Sequence, residues 1–167
     1  MSTEPTEPWL SGSLRDVHPF LAPLLYSFQM VLEDIDRHTE GLTDEQLWAR
    51  PGNIASTGFH IRHIGGSVDR LLSYAEGNQL SETQLAALKR EGEPGASRKD
   101  LLAELQMALE SAGARVRALD PERLAEARAV GRKRLPTTVI GLVVHIAEHT
   151  QRHVGQAVTT AKMVRGL

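Results

Sequence analysis

Apolar residues recur at helical spacing in four long stretches of this chain. The first predicts a helix over residues 19–38, where Leu24, Phe28, Val31, Leu32 and Ile35 share one face. Pro19 and Pro23 suit its first turns, where a missing N–H costs no hydrogen bond, and Gly41 ends it. A second helix is expected over 54–76, closed by Gly77-Asn78. A third, over 98–119, starts from Ser97 as cap, carries Leu101, Leu102, Leu105, Leu109 and Val116 in its stripe, and stops at Asp120-Pro121. The fourth starts at Pro136-Thr137-Thr138 and runs to residue 164.

Shorter elements lie between them. Thr43-Asp44-Glu45-Gln46 reads as a capped helical turn leading to Trp48, followed by a loop at Pro51-Gly52-Asn53. Residues 81–90 read as a short amphipathic helix with Ser81 as cap and Leu85 and Leu88 facing inward. Pro5, Pro8 and Gly12 make residues 1–12 a loose leader. Residues 122–135 have no clear period; a short helical turn and an extended segment through Val130-Gly131 are expected there, and no β-hairpin. Four long helices with connections of mixed length predict one all-α domain over 1–167, a four-helix bundle with long crossover connections.

Composition narrows the chemistry. A chain of 167 residues has the size of one ordinary domain. Aromatic residues make up only 4%, so aliphatic side chains must fill the core. The net charge of −2 provides no field for nucleic acid or an anionic membrane, and Arg132-Lys133-Arg134 is an isolated basic run. The most apolar run, 139–144, is far short of the ~20 residues a membrane span needs. Residues 1–9 lack the pattern of a secretory signal, which makes the cytoplasm the expected compartment. There is no cysteine, so any metal must be held by His, Asp or Glu.

Histidine is the candidate. Of the seven histidines, five fall in two groups: His60 and His63 in the second helix, and His145, His149 and His153 in the fourth. Residues four apart on a helix lie on one face, so two such imidazoles can meet one ion, and a facing helix can supply a third. On a helical wheel Leu142, Ile146, His149, Ala157 and Thr160 fall within about 40° of His153. His149 and His153 therefore belong to the core-facing stripe, His145 to its edge, and Glu148 to the polar half. His63 shares a side with Phe59, Ser67, Arg70 and Tyr74; by periodicity alone His60 is as good a donor as His63. Gly65-Gly66 marks a close approach to the helix backbone, by a ligand pocket or by a packed helix. His18 and His38 stand alone and read as surface residues.

The segment His149-x-x-x-His153-Val-Gly-Gln156 resembles the signature of the DinB/YfiT-like superfamily of small metal-binding four-helix bundles. Phe59-His60-Ile61-Arg62-His63-Ile64 is similar to that family's first-ligand helix, and Leu42-Thr43-Asp44-Glu45-Gln46-Leu47-Trp48 with Pro51 to its lead-in. The resemblance spans the first helix to the C-terminus. It implies His63, His149 and His153 as ligands of a divalent ion, zinc or nickel first and iron next. Val154 stands where the family usually has Arg, a departure that bears on substrate rather than on coordination. The resemblance further implies an open site, a homodimer, and a metal-dependent S-transferase or related enzyme that takes a low-molecular-weight thiol and an electrophile. The alternative is a non-catalytic metal-binding stress-response or dimeric interaction protein. Gln156, His145, Arg62, Arg70 and Tyr74 are the further candidates for the surroundings of the site.

Overall fold

The structure, a computed structural model, describes residues 6–10 and 12–166. Four long helices form the body: α1 (Ala22–Thr39), α3 (Thr57–Ala75), α5 (Arg98–Arg117) and α6 (Val139–Val164). Two short ones, α2 (Asp44–Trp48) and α4 (Glu82–Arg90), sit in the connections. β1 (Ala127–Val130) and β2 (Leu135–Thr138) precede α6.

The helix starts follow from their caps. Thr43, Ser81 and Ser97 each form a capping box, in which the side chain accepts from the backbone three residues on and the side chain there reaches back. Ser56 Oγ accepts from Phe59 N at 3.1 Å, so α3 starts at Thr57 rather than at residue 54. Pro19 and Phe20 lie in a turn closed by Leu21 N donating to His18 O at 2.9 Å, and α1 starts at Ala22 with Pro23 in its first turn. Part of the expected leader, residues 1–5 and 11, lies outside the described residues; Pro8–Leu10 is a 3₁₀ turn packed on α1, with Pro8 buried.

Two expectations need correction. Residues 127–138 do form a β-hairpin, antiparallel from Ala127 opposite Thr138 to Val130 opposite Leu135. Pro136 is therefore in a strand, and α6 begins only at Val139, with Thr138 Oγ1 accepting from Gly141 N. Leu88 does not face inward; it is 39% exposed, while Leu85 is half-buried. α4 is nine residues long and lies against α3 by one edge, which leaves Leu88 outside.

Around the bundle the order is α1, α6, α3, α5. Helices α1 and α3, consecutive among the long four, are thus diagonal, as are α5 and α6, and their connections cross the ends of the bundle. The most extensive packing is between α3 and α6. Leu24, Val31, Ile35, Ile61, Ile64, Val68, Leu72, Leu101, Leu105 and Ile146 fill the core with under 3% exposure each. Trp48 closes over the start of α3, where a Cβ on Gly58 would lie 2.9 Å from its ring, and its Nε1 donates to Ala96 O at 2.9 Å. No helix is long and apolar enough to cross a membrane.

Candidate metal centre

The α3–α6 contact brings the two histidine groups together. His63, His149 and His153 each offer a ring nitrogen, and these three atoms lie within 4.8 Å of one another. His63 Nε2 and His149 Nε2 are 3.1 Å apart. Two imidazole nitrogens on one tetrahedral zinc are about 3.3 Å apart, given bonds of about 2.0 Å. The His153 ring centroid is 4.4 Å from that of His63 and 4.5 Å from that of His149. All three imidazoles are half-buried.

The electrostatics suit a cation. Burial pushes the His153 imidazole down to about 3, and the neighbouring His63, His149, His60 and Arg152 add to this. Burial lowers His149 as well, followed by His63, His145 and Arg70. Both are neutral at pH 7 and present lone pairs. Three convergent imidazole nitrogens, with Glu91 behind His63 and His60 behind His153, match the chemistry of a divalent-ion site, so the residues present fit such an ion.

An outer layer orients the donors. His63 Nδ1 donates to Glu91 Oε2 at 2.6 Å, and its Nε2 is the ring nitrogen that meets His149. Arg70 Nη1 donates to Glu91 Oε1 at 2.6 Å. Both residues are buried, Glu91 at 4% exposure and Arg70 at 7%. The His63 ring also stacks on Phe59, with 5.3 Å between centroids and an 18° tilt. His153 Nδ1 lies 3.0 Å from His60 Nδ1.

The two glycines separate by task. A Cβ on Gly65 would lie 3.2 Å from Ala108 Cβ, so Gly65 serves the α3–α5 packing. A Cβ on Gly66 would lie 2.5 Å from Glu91 Oε1 and 2.7 Å from Arg70 Nη1. Gly66 therefore makes room for the pair behind His63.

Other candidates fall elsewhere. Arg62 is on the α5 side, where it donates to Glu93 O at 2.7 Å, pairs with Glu104 and lies over Trp48. Tyr74 is in the core and Gln156 is exposed. His145 is exposed, its ring centroid 5.4 Å from that of His149, and Glu148 pairs with Arg152 on the outer face. Val154 is buried. His18 is exposed and His38 half-buried, both outside the cluster. Two cavities, of about 570 and 560 Å³, lie between α3, α4 and α5 and between α1 and α6, and neither is lined by the three histidines.

Glu91 was missed in the sequence. One signal was present: it caps the C-terminal end of α4, where the helix dipole disfavours a carboxylate. An acid in that place needs a cationic or hydrogen-bonding partner, and Arg70 and His63 provide both.

The sequence profile of the DinB superfamily matches residues 27–157, which include all three clustered histidines and Glu91. The chain belongs to the DinB superfamily. Among solved structures it is similar to YfiT from Bacillus subtilis, a probable metal-dependent hydrolase with an unusual four-helix bundle topology. That match has a TM-score of 0.63 at 17% identity and covers 93% of this chain and 94% of YfiT. It shows that the two share a four-helix bundle fold and leaves the chemistry to the residues. No curated protein matches the chain in sequence.

Proposed function

We propose that this DinB-superfamily protein is a metal-dependent enzyme in which His63, His149 and His153 hold one divalent ion, zinc or nickel before iron. The observation that carries this is the number of donors. Three ring nitrogens converge, and among the described residues no fourth His, Asp or Glu joins them. Structural zinc sites close with four protein ligands, whereas catalytic sites keep a position open. Glu91, the nearest buried carboxylate, is committed to His63 and Arg70.

Such an ion, when bound, supplies Lewis acidity that ionises a thiol or a water near neutral pH. The leading reaction is S-transfer from a low-molecular-weight thiol. The sulfur forms a bond to the electrophile, the leaving group departs with its electron pair, and the thiol proton goes to solvent. This chemistry suits a site whose one buried carboxylate among the described residues, Glu91, is engaged by His63 and Arg70, because it needs no separate protein base. Hydrolysis is the second reading, favoured by the likeness to YfiT. The chain's own part is common to both: Glu91 orients His63, and Phe59 stacks on that ring and fixes its plane.

The protein in this proposal is a cytoplasmic homodimer that binds neither nucleic acid nor membrane. Val144, 61% exposed on α6, supports an apolar contact between copies.

The test is metal analysis of the purified chain, then the metal-loaded protein against a panel of thiols with an electrophile and, separately, ester and amide substrates. One divalent ion per chain and thiol-dependent turnover are expected. His149→Ala and His153→Ala should each lose stoichiometric metal with helical content intact, and His145→Ala should not. Metal retained in either of the first two refutes the site; turnover of esters without thiol moves the reaction to hydrolysis.

A further inference from the structure

His60 is one turn before His63 on α3 and stands outside the three-nitrogen cluster. Its ring is 5% exposed, and its Nδ1 is 3.0 Å from Nδ1 of His153. At that distance one nitrogen must carry the proton and the other must accept it. The ring also meets Phe59 edge-on, with centroids 5.3 Å apart, which restricts its rotation.

We propose that His60 is the positioning residue for His153: His153 donates its Nδ1–H to His60 Nδ1, and its Nε2 lone pair is thereby fixed toward the shared centre. The assignment rests on the three-histidine site proposed above. The opposite direction, His60 donating to His153, would move the His153 proton to Nε2, where it would face the other two donors and block a cation. A fourth-ligand role for His60 does not fit either, because among the described residues only three present nitrogens close enough to share a point, and His60 is not one of them. His60 thus does for His153 what Glu91 does for His63. The two outer partners differ in charge: a carboxylate stands behind one imidazole and a neutral ring behind the other. That difference leaves more positive charge on a bound ion than two carboxylates would.

The experiment is zinc binding by the full chain, measured in competition with a chromophoric chelator, for wild type, His60→Phe and His60→Asn. Phenylalanine keeps a ring and removes the acceptor; asparagine places an amide oxygen near the lost Nδ1. His60→Phe should weaken zinc binding about 10- to 100-fold, with His60→Asn recovering most of that loss. Unchanged affinity in His60→Phe overturns the inference, and so does an equal loss in both variants, which would mean packing alone. Long-range proton–nitrogen NMR of the zinc-loaded wild type gives a readout that needs no variant to fold. It should find His153 with its proton on Nδ1 and zinc on Nε2, and the reverse pattern overturns the inference. Failure of the wild-type chain to take up zinc overturns the site as well, whereas zinc uptake with indifferent His60 variants overturns the positioning role alone.

Discussion

Glu91 Oε2 lies 2.6 Å from His63 Nδ1, and the other oxygen of the same carboxylate accepts from Arg70 at 2.6 Å. One buried acid thus serves an imidazole and a guanidinium together. Removing one partner of a buried ion pair costs about 3–5 kcal/mol, because the other charge is left without compensation. Glu91→Ala should therefore destabilise the protein by that order in urea denaturation and weaken zinc binding about 10- to 100-fold. Adding Arg70→Leu should restore much of the stability and none of the zinc affinity. If the two properties recover together, the acid has no separate effect on His63.

Gly66 and Gly155 offer a contrast between two helical glycines. Replacing Gly by Ala inside a helix gains about 1 kcal/mol where space allows. Gly155 has open space around the position of a Cβ, so Gly155→Ala should raise stability by up to about that amount. At Gly66 the new methyl would press on Glu91 Oε1 and Arg70 Nη1. These are the ends of flexible side chains and can shift, but only by losing their alignment with His63. Gly66→Ala should leave stability within about 1 kcal/mol of wild type and reduce zinc affinity. Calorimetric melting and the chelator competition read the two effects separately, and unchanged zinc affinity would sink the reading of Gly66.

The bundle and two of the three clustered histidines were legible because their signals are local. His149 and His153 fall on one stripe by spacing alone, and the caps at Thr43, Ser81 and Ser97 are recognisable tetrads. The choice between His60 and His63 was not legible from periodicity, since both side chains meet α6 and differ only in which atom they meet. The hairpin was illegible for a different reason. Ala127-Arg128-Ala129-Val130 has little β propensity, and Pro136 argues against a strand. A two-stranded ribbon has only edges, so Pro136 is tolerated opposite Ala129. Anchoring comes from outside the sheet, where Arg128 Nε donates to Ala75 O at 2.7 Å at the end of α3. Gly131 and Arg134 turn the chain with φ of 70° and 48°.

Acid should unfold the metal-free protein from the histidine cluster outward. Burial, with His63 next, holds His60 at about 4, and burial holds His153 at about 3, both below the usual 6.5. Between 6.5 and those values the unfolded chain takes up protons that the folded chain refuses, so stability falls as pH falls through that window. Above 6.5 the contribution is fully present. The urea midpoint of chelator-treated protein should decline steadily from pH 7 to pH 4.5. A flat profile over that range would contradict the neutral, buried state of these rings.

Thr150, next to His149, is 1% exposed, and its hydroxyl has no hydrogen-bond partner. A buried hydroxyl without a partner costs about 1–3 kcal/mol, and valine has nearly the same shape. Thr150→Val should raise the melting temperature by about 2–4 °C per kcal/mol gained in a chain of this size. A lower melting temperature would show that the hydroxyl has a partner in solution, such as an ordered water.

The placement of α6 beside α3 also has a consequence for biosynthesis. Residues 63 and 149 are separated by 86 positions, and the helix between the long pair in sequence, α5, stands diagonal to α6. A nascent chain that has released only α1, α3 and α5 carries a single imidazole of the three. If these histidines hold an ion as proposed above, its capture waits for α6, and a ribosome-stalled chain lacking α6 should carry none.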